Sequence, residues 1–208
     1  MNFHSYSLIK YNLVRFINKK DYPGTLFLVI GNSGSGKDSI IAKVIKNYPS
    51  NLKTVYAVRR YITRPPSETE KNISVTDEEY EKMIFENKFA LYWHSYGLDY
   101  GVPIEVEDWL KNGHPVLVNV SRTIVHTARE KYKNVKVVFV EVPFDKTVER
   151  IKKRGRETGV LLRERIERAR KNQTFPTADF VVDNSGDLED AVEQFLDYVI
   201  EIVTRDKN

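Results

Sequence analysis

The segment Gly31-Asn32-Ser33-Gly34-Ser35-Gly36-Lys37-Asp38-Ser39 places glycines, hydroxyls and one lysine between an apolar run, Leu26 to Ile30, and a helical pattern. Glycine has no Cβ, so successive backbone N–H groups in such a turn can point at the oxygens of a phosphate chain. The helix that follows adds the positive end of its dipole. Lys37 then brings a mobile cation to the β- and γ-phosphates. A preceding strand and a following helix separate a P-loop from a glycine-rich surface turn, and both patterns are present. These residues are the candidate ATP-binding set. The position after a P-loop lysine usually holds a Ser or Thr whose hydroxyl meets Mg²⁺. Here it holds Asp38, with Ser39 next. Magnesium takes hard oxygen ligands and keeps several waters, so the metal falls to Asp38 or Ser39, directly or through water.

A second constellation is cationic. Arg150, Arg154, Arg156, Arg163, Arg165 and Arg168 put six guanidinium groups into nineteen positions, with Gly155 and Gly159 in the middle. Guanidinium stays charged and pairs bidentately with phosphate oxygens, so a glycine-flanked, arginine-rich segment fits a lid over a nucleotide. Glu149, Glu157, Glu164 and Glu167 fit equally a solvated, salt-bridged helix face, and the two uses are expected side by side. Arg59, Arg60 and Arg64 follow an expected strand, at the end where a parallel sheet opens to its ligand. They suit an acceptor anion, with an exposed basic loop as the alternative. Tyr92, Trp93, His94, Tyr96 and Tyr100 offer aromatic walls with polar tips. Core packing is expected of Tyr92 and Trp93, a structural hydrogen bond of His94, and reach toward a phosphate of Tyr100. An acceptor that is itself a phosphate, with a second pKa of about 6, needs no general base. It needs charge neutralisation and alignment.

These groups require a scaffold, and the pattern supplies one. Asp38 to Asn47 carries a helical apolar face and stops before Pro49, and Val55 to Val58 reads as a strand. Thr76-Asp77-Glu78-Glu79 is a capping signal for a helix through Asn87. Phe89 to Gly101 is rich in aromatics and turn residues. Val116 to Val120 and Val135 to Val142 read as buried strands, followed by a helix from Asp145 and a basic helix to about Asn172. A last strand, Asp179 to Val182, precedes a closing amphipathic helix, Leu188 to Val203. Strands alternating with helices predict an α/β fold with a parallel sheet covered on both faces.

The chain has 208 residues, enough for one domain with a substantial core. Its apolar runs are too short to span a bilayer and its start lacks a signal-peptide pattern, so a soluble cytoplasmic protein with no membrane partner is expected. Zero cysteines exclude disulfides and thiolate metal sites, and the four histidines show no ligand spacing. Net charge is +4, and beside a P-loop the basic clusters point to small-substrate phosphates rather than nucleic acid.

The order P-loop, Thr63-Arg64, Tyr100-Gly101, arginine-rich segment resembles the guanylate kinase family from Leu26 onward. That resemblance implies a guanylate kinase-like P-loop fold over 23–208, with a substrate-binding insert at 57–105, a lid at 154–165 and an N-terminal extension at 1–22. The family's guanine readers do not carry over. Leu91 stands where a carboxylate is usual, Val102 where a hydroxyl is usual, and Ser67 and Asn72 replace an arginine and a phosphate-binding tyrosine. Asp38, Asn119, Ser121-Arg122, Trp93-His94 and Arg154-Gly155-Arg156-Glu157 are more similar to the ribose 1,5-bisphosphate phosphokinases of phosphonate breakdown. The implied reaction is ATP- and Mg²⁺-dependent conversion of ribose 1,5-bisphosphate to 5-phosphoribosyl 1-diphosphate. By the same resemblance Lys37, Arg150, Arg154 and Arg165 steady the transferring group and Asn184 flanks adenine. Arg59, Arg60, Arg64 and Arg122 meet substrate phosphates, and His94, Tyr100, Asn119 and Ser121 lie near the ribose or a phosphate. A nucleoside monophosphate kinase and a non-catalytic binding module are the alternatives. Such modules usually lose the P-loop lysine, which this chain keeps.

Overall fold

The computed structural model of the protein describes residues 18–66, 72–155 and 158–205. Five parallel strands build the main sheet: β1 (Leu26–Gly31), β2 (Tyr56–Ala57), β7 (Val116–Asn119), β8 (Val135–Glu141) and β9 (Phe180–Asp183), in the order β2-β7-β1-β8-β9. β1 is apolar at every position through Ile30 because both of its faces are covered. Phe27 and Val29 pack toward helices α1 (Lys37–Asn47) and α7 (Leu188–Arg205). Leu26, Leu28 and Ile30 pack toward α3 (Val106–Lys111) and α4 (Val125–Lys131). Each fully buried side chain of this size contributes about 1.5–3 kcal/mol, so the sheet is a rigid base for what its carboxyl ends carry. The doubly covered parallel sheet expected from the pattern is therefore present.

Several boundaries differ from expectation for identifiable reasons. The second strand shrinks from Val55–Val58 to Tyr56–Ala57, since it pairs only with β7 at one edge. Helix α2 (Asp77–Phe85) opens with the expected capping box, Thr76 and Glu79 bonding reciprocally, but ends two residues before Asn87, which takes φ +55°. Helix α5 (Phe144–Arg154) starts one residue before Asp145, and α6 (Gly159–Lys171) stops just short of Asn172. Asp179 lies outside β9 because its carboxylate accepts from the Val137 N–H at 2.7 Å and from Arg129 at 2.8 Å.

The chief difference is a second sheet, where the sequence showed only an aromatic, turn-rich stretch. β3 (Tyr61–Ile62), β4 (Ile73–Ser74), β5 (Phe89–Ser95) and β6 (Leu98–Pro103) form a sheet in the order β4-β3-β6-β5, with β6 antiparallel to β3 and β5. Gly101 is required there, since a Cβ would stand 2.3 Å from the Phe89 ring. Among the described residues no helix is long and apolar enough to cross a membrane. Of the N-terminal extension, residues 1–17 lie outside the described residues, as do Ser67, Arg156 and Glu157.

Where the small sheet rejoins the core, one buried carboxylate collects four partners. Glu107, 5 % exposed, sits on α3 just past β6. It accepts from Lys20 Nζ at 2.6 Å, Tyr132 Oη at 2.7 Å and Tyr22 Oη at 3.0 Å, with Lys131 Nζ at 3.5 Å. Burial alone pushes this carboxyl up, but the Lys20 and Tyr132 hydrogen bonds and the charges of Lys131 and Lys20 leave it below its ordinary value. Burial and Glu107 drive the Tyr132 hydroxyl far upward, so it stays a donor. Glu107→Ala strands these donors and is expected to destabilise the fold by about 3 kcal/mol, a loss of roughly 6–12 °C in Tm. Because the folded carboxyl lies below its unfolded value, the stabilisation is complete at neutral pH and disappears as pH falls through the folded value. An unchanged Tm for Glu107→Ala, followed by circular dichroism, would contradict this reading.

Candidate active site

The carboxyl ends of β1 and β7, the small sheet and the α5–α6 pair enclose a cavity of about 550 Å³. Nine cationic side chains line it among the described residues: Lys37, Arg60, Arg64, Arg122, Arg150, Lys153, Arg154, Arg165 and Arg168. Asp38 is the one carboxylate on that lining. At the whole-chain level the charge is only +4, so the excess is concentrated in this cleft and the remainder of the molecule is net acidic.

The P-loop floors the cavity. Gly31, Asn32, Ser33, Gly34, Gly36, Lys37, Asp38 and Ser39 line it, whereas Ser35 is buried beneath. Gly36 has φ +86°, and a Cβ there would lie 2.6 Å from the Asn184 amide. That close approach has a purpose, because Asn184 Nδ2 donates to the Ser35 carbonyl at 2.8 Å. Asn184, 2 % exposed, thus supports the loop from below and is not on the cavity lining where an adenine contact was expected. Lys37 Nζ donates to the carbonyls of Gly31 and Asn32, both at 2.9 Å, and to Ser35 Oγ at 3.2 Å. Burial, reinforced by the charges of Arg60, Arg154 and Arg122 and opposed by Asp38, lowers its pKa to about 8.

Asp38 lies in the first turn of α1, where the helix dipole favours negative charge. Asn119, the last residue of β7, donates its amide to Asp38 Oδ1 at 2.7 Å. The pair joins the start of the P-loop helix to a strand end. Ser121 caps a 3-10 turn, Arg122–Ile124, and its Oγ accepts from Thr123 Oγ1 at 3.0 Å. Arg122 lines the cavity while donating to the carbonyl of Asn172 at 3.1 Å, and lies over the Phe139 and Phe175 rings. Its guanidinium therefore ties the end of α6 to the core as well as facing the site.

The opposite wall comes from the small sheet. Arg60 and Arg64 flank β3, and the Thr63 hydroxyl fixes that loop by accepting from the Asp99 N–H at 2.9 Å. Trp93 and Tyr100 are cross-strand partners whose rings stack at 5.3 Å and 5°, and Arg60 lies 5.7 Å from the Tyr100 centroid. Alternation along β5 decides which neighbours share this wall. Trp93 and Ser95 line the cavity, while Tyr92 and His94 are exposed on the other face. His94 makes the structural hydrogen bond expected of it, to Asp99 at 2.9 Å, and is not on the cavity lining, where the resemblance had put it near the substrate. Arg59 is also exposed and off the lining. Trp93, for which only packing was expected, does both, being 7 % exposed yet on the cavity wall. Ser95, Lys153, Ala169 and Asn172 are lining residues that no motif announced.

On the third side, Arg150, Lys153 and Arg154 come from α5 and Arg165 and Arg168 from α6. Arg150 Nη2 donates to the Asn184 carbonyl at 3.4 Å, and Asn32 Nδ2 donates to the Ala169 carbonyl at 3.1 Å. Such an array can hold polyanions and spread the charge of a transferring phosphoryl group. Among the described residues no cluster of three or more His, Cys, Asp or Glu offers an all-protein metal site.

Comparison with known proteins agrees with this geometry. The guanylate kinase family profile matches residues 24–202. A protein of Psychromonas ingrahamii named ribose 1,5-bisphosphate phosphokinase PhnN is 38 % identical over 182 residues, covering 85 % of this chain and 91 % of that relative. A protein of the same name from Bradyrhizobium diazoefficiens is 34 % identical over 167 residues, covering 80 % and 83 %. The crystal structure of guanylate kinase from Anaplasma phagocytophilum superposes with a TM-score of 0.62 at 17 % identity, covering 89 % of this chain and 87 % of that one, which speaks for the fold. A P-loop facing an arginine-rich wall, together with these likenesses, places the chain in the guanylate kinase family and, within it, among the ribose 1,5-bisphosphate phosphokinases.

Proposed function

We propose that the protein transfers the γ-phosphoryl group of ATP to ribose 1,5-bisphosphate, giving 5-phosphoribosyl 1-diphosphate and ADP. An oxygen of the sugar's 1-phosphate forms the new P–O bond as the bond from the γ-phosphorus to the β,γ-bridging oxygen breaks, and that oxygen departs with ADP. The observation that carries this reading is the lining of the cavity, nine cations to one carboxylate, with that carboxylate on the P-loop side. Leu91 and Val102, the positions of the family's guanine readers, are 2 % and 0 % exposed in the apolar core. Neither is on the cavity lining, so a purine edge finds no partner from them and loses about 1–3 kcal/mol per hydrogen bond. A phosphate acceptor is already anionic at neutral pH, so alignment and charge neutralisation suffice.

In this reading the P-loop residues and Lys37 hold the ATP phosphates, and Arg150, Arg154 and Arg165 steady the moving group. Arg60 and Arg64 take the acceptor phosphates, with Tyr100 and Ser121 near the sugar. Asp38 and Ser39 fit a magnesium ion, which needs only one or two protein oxygens beside water and phosphate. Asn119 occupies one acceptor site on the Asp38 carboxylate and leaves it capacity for further partners. When bound, the ion would neutralise the β- and γ-oxygens.

ADP release measured with a coupling enzyme should be robust with ribose 1,5-bisphosphate and at least 100-fold less efficient, on the order of three lost hydrogen bonds, with GMP. Comparable turnover of GMP would favour a nucleoside monophosphate kinase. Arg64→Ala should raise the acceptor KM roughly 10- to 100-fold and leave the ATP KM within about threefold. An unchanged acceptor KM would remove Arg64 from the acceptor site.

Lys37 yields a pH-dependent test. With its pKa at about 8, close to half of the molecules carry the neutral amine at pH 8. A polyphosphate beside it restores the proton, while phosphate groups with a second pKa of about 6 are already deprotonated there. Calorimetric titration with MgADP in buffers of different ionisation enthalpy should show about half a proton taken up at pH 8. Uptake should grow toward one by pH 9 and fade near pH 7. Flat proton exchange across this window would contradict the placement of Lys37 against the phosphates.

A further inference from the structure

The turn joining β5 to β6 carries an unusual residue. Ser95 pairs with Leu98, so the loop is the dipeptide Tyr96-Gly97, and both residues have positive φ, +56° and +74°. Positive φ at both central positions is the signature of the two-residue hairpin turn that takes Asn-Gly or Asp-Gly, because a bulky side chain is strained there. Gly97 fits, and Tyr96 is the strained member. Its side chain is not spent on packing, since the residue is 66 % exposed.

What Tyr96 touches gives the strain a use. The Arg168 guanidinium stands 4.3 Å from the centroid of its ring, within the range of a cation–π contact. Arg168 has Glu164 one turn away at a looser 3.8 Å. Tyr96 and Arg168 both line the cavity, one from the small sheet and the other from α6. Arg165, one turn earlier on α6, lines the same cavity. The residue after Arg168 is Ala169, whose carbonyl accepts from the P-loop amide of Asn32 at 3.1 Å. A single turn of α6 therefore spans from the hairpin tip to the P-loop.

We propose that Tyr96 is a positioning residue for phosphoryl transfer, held in a strained turn so that its ring seats Arg168 and fixes the α6 turn carrying Arg165 between donor and acceptor. The proposal rests on the kinase reading above. A displacement of about 1 Å at reacting groups can cost on the order of 100-fold in rate, so a contact at this distance from the chemistry has leverage.

Tyr96→Asn gives the turn its preferred residue and removes the ring, which separates folding from catalysis. Its melting temperature should equal or exceed that of the wild type, while kcat with ribose 1,5-bisphosphate falls roughly 10- to 100-fold and the ATP KM stays within about threefold. Tyr96→Phe keeps the ring face and should retain turnover within about threefold. Combined with Arg168→Ala, Tyr96→Asn should cost no more than the worse single change, because both remove one contact. Wild-type turnover in Tyr96→Asn, multiplicative losses in the double variant, or a Tyr96→Phe as impaired as Tyr96→Asn would each overturn the proposal. So would a melting temperature well below wild type in both Tyr96→Asn and Tyr96→Gly, since the turn would then not be strained. Non-additive melting shifts between positions 96 and 168, read without substrate, test the contact alone. A wild type that turns over no bisphosphate while this coupling persists would instead sink the assignment of substrate.

Discussion

Like charges crowded into one cleft are the constraint around which this molecule is built. Two unit charges about 6 Å apart near a protein surface repel by roughly 3 kcal/mol, and nine cations share a cavity of about 550 Å³. They converge from five places: the P-loop helix, the flanks of β3, the turn after β7, α5 and α6. The strands and α1 are anchored by the apolar core and α6 by Asn32, Arg122 and Tyr96 inside the cleft, so the fold holds together what electrostatics pushes apart. Burial is the main cause of the depressed pKa of Lys37, and the charges of Arg60, Arg154 and Arg122 add to it. Polyanions relieve the repulsion, which makes binding and charge relief the same event.

The support beneath the P-loop shows how the stress is borne. Asn184, buried at the end of β9, donates to the Ser35 carbonyl and accepts from Arg150. A glycine at 36 lets that amide come within reach, and the loop is thereby clamped from below while its N–H groups face the cavity. On the far side, Glu107 fixes the junction at which the small sheet returns to the core. The two walls of the cleft are thus each tied to the same central sheet, and the relative placement of donor and acceptor follows from those ties.

Much of this was legible in the residues. The P-loop declares itself because glycine spacing, lysine, strand and helix agree, and β1, β7 and β8 because strands covered on both faces are near-continuous apolar runs, broken in β8 by Lys136. The capping box at Thr76 and Glu79 is local chemistry and appears where the sequence puts it. The small sheet was hidden for the opposite reason. β3 and β4 are two residues each, too short for any period, and β5 carries aromatics on both faces, so alternation could not be phased. A shift of one residue exchanges the faces, so the strand's register alone decides that Trp93 lines the cavity and that His94, which the resemblance put near the substrate, does not. The Tyr96-Gly97 turn escaped because tyrosine is the residue that such a turn disfavours.

The departure at Asp38 can be understood in the same terms. A hydroxyl after the lysine and a carboxylate at the strand end is one way to present hard oxygens to a metal-bound phosphate. Here the carboxylate has moved to the first turn of α1 and an amide occupies the end of β7, joined at 2.7 Å. In the first turn of α1 the Asp38 carboxylate is oriented by the Asn119 amide through a contact that only an acceptor can satisfy. An aspartate at position 119 would face Asp38 across the same gap and repel it, whereas the amide donates to it. Asn119 is in this sense the complement of Asp38.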